Sequence, residues 1–187
     1  MNKIWSQLVI YGFVLSLGGP SFAMIDEPQG IRTVRSQSYK YEDGCEIEKI
    51  AQDYRVKKGE ESFQFDRKDK IVFNYETGEV VIEFTGQATD KNGTRSWAEA
   101  DFGPNSHSPL HYHSKGTEDY YIVEGNKDAV ATVDGISHIL MTGTYLRILP
   151  NQYHQVVNGS QTEKLTLLVK CTPAWTSEDH ILIKKDH

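Results

Sequence analysis

Two histidines one residue apart, His111 and His113, are followed after four residues by Glu118 and after six more by Gly125. No other feature of the chain constrains its fold as tightly. Side chains of a β-strand alternate between faces, so imidazoles at i and i+2 point into one space. Glu118 precedes the apolar run Tyr120-Tyr121-Ile122-Val123, where it can open the next strand and face the same space. His154 follows the turn signal Pro150-Asn151 and lies far from the others in sequence, so only the fold can bring it in. Three neutral imidazoles and one carboxylate are the ligand types of a mid-row transition-metal site. A His-x-His pair by itself is more often packed or solvated; the joint occurrence points to metal.

The arrangement resembles the cupin superfamily. Its first motif runs Gly, five residues, His-x-His, three or four residues, Glu, six residues, Gly, and residues 111–125 match it with the four-residue spacer. The upstream Gly103 is separated from His111 by seven residues, so the loop leading in is two longer. The second motif runs Gly, five residues, Pro-x-Gly, two residues, His, three residues, Asn. Gly143, His154 and Asn158 match it; Leu149 replaces the proline, Pro150 falls one place later, and Asn151 replaces the glycine. Asparagine is the commonest non-glycine residue in left-handed turns, so that replacement is mild. The resemblance implies an all-β fold, a single jelly-roll barrel of two antiparallel sheets with the metal inside one end. It implies a metal-ligand role for His111, His113, Glu118 and His154. In the quercetinase-like dioxygenases that this pattern resembles, the counterpart of Glu118 also acts as a base.

The N-terminus reads as a secretory signal. Lys3 supplies the charge, residues 8–17 form an apolar stretch, Gly18-Gly19-Pro20 breaks it, and Ser21-Phe22-Ala23 is a cleavage site. The stretch is too short to span a bilayer, which needs about 20 residues. Cleavage after Ala23 predicts a secreted or periplasmic protein, with no membrane association afterwards. Of the chain's 20 basic residues only Lys3 is lost, leaving 19 against 26 acidic residues. Such an acidic chain has no electrostatic case for nucleic acid. The two cysteines, Cys45 and Cys171, favour a disulfide in an exported protein, and closing so long a loop is worth about 4 kcal/mol.

Residues 24–68 read as an N-terminal arm able to add an edge strand, 69–175 as the barrel and 176–187 as a charged tail. Within the arm, residues 46–57 fit a short helix or a strand equally well. A hairpin is predicted over residues 70–84, turning at Gly78, and another turning at 90–93. Strands are expected over 128–133, 136–141, 144–149, 154–157 and 164–171. Many short strands with glycine turns indicate a sandwich or barrel. The apolar hairpin is a plausible edge for a homodimer to cover.

Glu118, Tyr120 and His107 are the candidate acid–base groups. Tyr120 shares the strand face of Glu118, whereas Tyr112 and Tyr121 take opposite faces to the ligands beside them. Tyr145 and Arg147 share a face and could bind an anion, or pair structurally. Trp175 reads as a packing anchor. The ligand set leaves one or two open positions on an octahedral ion, which suits Fe, Mn, Ni or Cu better than zinc. The expected function is a small metalloenzyme of dioxygenase type acting on a small organic molecule. A non-catalytic small-molecule or metal binder, and a metal-dependent lyase or isomerase, are the alternatives.

Overall fold

A computed structural model describes residues 36–51, 53–65, 70–85 and 93–183. The signal sequence and the turn at 90–92 lie outside them. Fifteen strands make up the described secondary structure: β1 Ser36–Lys40, β2 Cys45–Ile50, β3 Asp53–Lys58, β4 Glu61–Phe65, β5 Ile71–Asn74, β6 Glu79–Thr85, β7 Ser96–Phe102, β8 His111–His113, β9 Thr117–Glu124, β10 Ala129–Val133, β11 Ile136–Ile139, β12 Tyr145–Ile148, β13 His154–Asn158, β14 Leu165–Thr172 and β15 His180–Leu182.

They form three antiparallel sheets in the orders β1-β2-β3-β4, β11-β10-β13-β8-β15 and β12-β9-β14-β7-β6-β5. The latter two make the barrel of the cupin-like fold. Its interior core contains Phe102, Ile122, Ala131, Ile148, Val156 and Leu167. The first sheet covers the outside of the six-stranded sheet, where Ile47, Tyr54, Val56 and Phe65 pack with Phe84, Trp97, Tyr121 and Leu168. Within the region expected to be an arm, the described residues therefore form a four-stranded meander that shares a core with the outer face of the six-stranded sheet. Residues 46–57 are two strands and no helix, joined through Ala51 at φ 57°.

This second layer explains why Trp97 on β7, Tyr121 and Val123 on β9 and Leu168 on β14 are buried although they point away from the barrel interior. The sequence alternation on β6 has the same origin. Val80, Ile82 and Phe84 point outward under the covering sheet, while Glu79, Val81 and Glu83 point into the barrel.

The expected 70–84 hairpin is β5 and β6. Gly78 turns it at φ +86°, and a Cβ there would come within 2.8 Å of the Ser106 side chain. At Gly125 the constraint is contact: an added Cβ would overlap the Leu140 carbonyl oxygen. Asn151 adopts φ 66°, the left-handed conformation expected for a glycine replacement.

Cys45 and Cys171 are both buried and unpaired, contrary to the expected disulfide. Cys45 packs in the outer core, whereas Cys171 points into the barrel with Sγ 3.3 Å from Glu118 Oε1. The six-stranded sheet lies between them. Part of the expected tail, His180–Leu182, likewise becomes structure, since β15 pairs with β8 at the edge of the five-stranded sheet.

Candidate metal centre

Antiparallel register assembles the histidines. His154 on β13 lies directly opposite His111 on β8, and His180 on β15 lies opposite His113. Directly opposed residues share a face, so all four rings turn inward. Glu118 reaches them from β9 in the other sheet. His111, His113, Glu118 and His154 are all buried, and one ligand atom from each lies within 4.8 Å of the others. Atoms bound at 2.0–2.2 Å to one ion can be at most about 4.4 Å apart, so shifts of a few tenths of an ångström complete the site.

The tautomers fit this role. His111 Nδ1 lies 2.9 Å from the Pro109 carbonyl oxygen, and His154 Nδ1 2.9 Å from that of Gln152. A carbonyl only accepts, so each Nδ1 carries the hydrogen and each Nε2 keeps its lone pair. His154 Nε2 then faces Glu118 Oε2 at 3.1 Å, and His113 Nε2 lies 3.3 Å from Glu118 Oε1 without forming a hydrogen bond. Lone pairs of imidazole and carboxylate opposed at this range are the contact that a divalent cation between them relieves.

The electrostatics agree. Burial, reinforced by His154, pushes His111 down to about 3, which keeps it a neutral ligand. Burial also acts to raise Glu118, but the adjacent His113 and His154 rings hold it well below the usual carboxylate range. Burial lowers His113 and Glu118 more than reverses this, so its net shift is upward.

Tyr120 is where its alternation places it, and its hydroxyl donates to Glu118 Oε2 at 2.9 Å. Burial and the charge of Glu118 keep that phenol protonated. His107 is placed apart. Its Nδ1 lies 2.9 Å from Ser108 O and 3.4 Å from Gln155 Nε2, and Gln155 is on the face of β13 opposite to His154. Tyr112 packs on Tyr153 outside the barrel, with ring centroids 5.1 Å apart. Tyr145 and Arg147 also face outward. Both bind Asp119 Oδ1 at 2.7 Å, and Arg147 adds a second bond to Oδ2, so they form a structural group rather than an anion site in the barrel. Asn158 is wholly buried and donates to the carbonyls of Phe102, Gly103 and Glu163, tying loops together.

His111 and Glu118 form part of the wall of a cavity of ≈ 100 Å³. Its other walls include Phe73, Tyr75, Phe102, Tyr120, Val169 and Trp175. Trp175 is thus a cavity residue, with its ring 5.9 Å from His180 and 6.4 Å from Phe73. His180 lies with its ring centroid 4.3 Å from that of His111 and 5.6 Å from that of His113. Nothing in the sequence marked it, because the strand that carries it is three residues long and unremarkable in pattern. Glu79 was legible only as one position of a hairpin arm.

The cupin-domain family model matches residues 98–170. Among solved structures, a variant of Streptomyces PAC13 with uridine is similar at 11% identity, covering 65% of this chain and 91% of that one, with a TM-score of 0.54. A protein from Planctomyces limnophilus matches at 17% identity over 63% and 93%, with a TM-score of 0.51. A predicted oxalate decarboxylase from Thermotoga maritima matches at 18% identity over 58% and 97%, also at 0.51. At these identities the likeness is one of fold. No curated protein sequence is a match.

Proposed function

Because residues 98–170 are a cupin domain whose buried His-His-Glu-His group suits a metal ion, we propose that this chain is an exported metalloenzyme of dioxygenase type acting on a small, largely apolar molecule. The observation that carries this is the position of the ligand group in the wall of an aromatic-lined cavity. A bound Fe, Mn, Ni or Cu ion would supply an open coordination position for oxygen or for an oxygen atom of the substrate.

The chain's own residues do the rest. His111 and His154, oriented through their Nδ1 hydrogens by backbone carbonyls, hold the centre on the rigid five-stranded sheet. Tyr120 fixes the rotamer of Glu118 through its hydroxyl and stands ready to hydrogen-bond a ligand in the cavity. Phe73, Phe102 and Trp175 exclude water from the chemistry and favour a planar apolar substrate. No lysine or arginine lines the cavity among the described residues, so an anionic substrate would find compensating charge only at the metal. Export is supported by the apolar stretch and cleavage site of residues 1–23.

The test is elemental analysis of the protein from residue 24 onward, purified without chelator or nickel affinity, followed by oxygen-electrode screening of phenols and enols. About one redox-active ion per chain with substrate-dependent oxygen uptake supports the reading. Turnover without oxygen uptake replaces it with a lyase or isomerase, and absence of metal even after titration removes the metalloenzyme.

A further inference from the structure

The inner face of β6 has an unusual polarity for a barrel. Glu79, Val81 and Glu83 all line the cavity, so two of the three inward side chains carry carboxyl groups. The covering sheet makes this arrangement stable: β6 buries its apolar residues on the outside, leaving its acids to face the void. Neither acid forms an ion pair among the described residues, and a carboxyl in an apolar wall without a partner is costly. No lysine or arginine lines the wall among the described residues. Burial and the field of Glu118 push Glu79 up to about 8, so it stands ready to donate or to accept a hydrogen bond.

We propose that Glu79 and Glu83 are the specificity wall of this cavity, accepting a ligand that presents a hydroxyl or ammonium donor and rejecting one that presents a carboxylate. An ammonium would pair with Glu83 and donate to Glu79, a hydroxyl would exchange hydrogen bonds with Glu79, and a carboxylate would meet the Glu83 carboxyl group with no lysine or arginine in the wall to offset it. The inference rests on the metal-centred reading only for the anchoring of the ligand's other end.

Three ligands with one chelating head and different distal ends read the wall: dopamine, catechol and 3,4-dihydroxybenzoate. Their affinities for the metal-containing protein are measured by calorimetry, without oxygen, beside Glu79→Gln, Glu83→Gln and the double variant. The expected order is dopamine, then catechol, then the benzoate, with at least about tenfold between the first and last. The double variant should retain its metal and melting temperature and bring the three within about threefold. Of the single variants, Glu83→Gln should remove most of the gap and Glu79→Gln less of it, and they keep the test valid if the double variant does not fold. Equal affinities in the wild type, a gap that survives in the variants, or no binding of any of the three overturns the wall. Selective binding without oxygen uptake on any substrate overturns the dioxygenase reading alone.

Discussion

The imidazole of His180 lies edge-on against that of His111, with ring centroids 4.3 Å apart and planes at 75°. His180 is outside the ligand group itself, yet it lines the cavity and packs on two of its ligands. The short C-terminal strand thus supplies part of the site. Replacing His180 with alanine should leave one metal per chain but raise KM or lower kcat by about tenfold, the usual loss when a positioned group beside a reacting centre is removed. Metal analysis and steady-state kinetics on the same sample check this.

His111→Ala and His154→Ala should each abolish stoichiometric metal. Each removes a buried ring that packs on the other at 4.1 Å between centroids, so both variants should also melt lower than the wild type. Adding the metal should raise the wild-type melting temperature and leave the variants unmoved, because a ligand stabilises only the state that binds it. Differential scanning fluorimetry with and without added metal tests both statements.

Asp179 accepts hydrogen bonds from Ser114 Oγ at 2.7 Å, Lys115 N at 2.9 Å and Gly116 N at 2.8 Å. It thereby pins the loop between His113 and Glu118. Asp179→Ala should cost about 1–3 kcal/mol by leaving these donors unmatched, and should weaken metal affinity by about tenfold or more through the loosened loop. Chemical denaturation and a competitive metal-chelator titration give the two numbers. Retention of full metal affinity would confine Asp179 to stability.

Glu79 gives a pH dependence of known sign. Its folded value is pushed up to about 8, first by burial and then by Glu118, from an ordinary value of 4.5. Between those values the folded state holds a proton that the unfolded chain has released. Its contribution is therefore fully present below about pH 4.5 and lost as the pH rises through about 8. Glu79→Gln keeps the neutral form at every pH. In chelator-treated protein the variant should gain stability over the wild type as pH goes from 5 to 9, by a few kcal/mol at most. Parallel slopes for the two proteins would show that the carboxyl is not held up by the barrel.

Cys45 and Cys171 lie on opposite sides of the six-stranded sheet and are unpaired. Reducing agent should leave the melting temperature unchanged, and both thiols should react with a thiol reagent after denaturation without prior reduction. A downward shift on reduction would mean a disulfide forms instead.

The sequence determined the candidate ligand group and the barrel. His111 and His113 needed only strand periodicity to converge, Glu118 and Tyr120 only the same alternation on the next strand, and Asn151 only its tolerance of a left-handed turn. These are local properties with a spacing that sequence displays directly. Only the tertiary structure decided how the second layer behaves. That residues 36–65 form a sheet covering the barrel depends on long-range burial of Ile47, Tyr54 and Phe65, and their short strands look alike whether they lie free or packed. The same covering turns Glu79 and Glu83 inward, and it separates Cys45 from Cys171. His107 stood near the motif in sequence but lies on the wrong face. His180, far along the chain, reaches the site because β15 pairs with β8. Residues distant in sequence become neighbours through strand pairing, and no local pattern encodes which strand a short C-terminal segment will join.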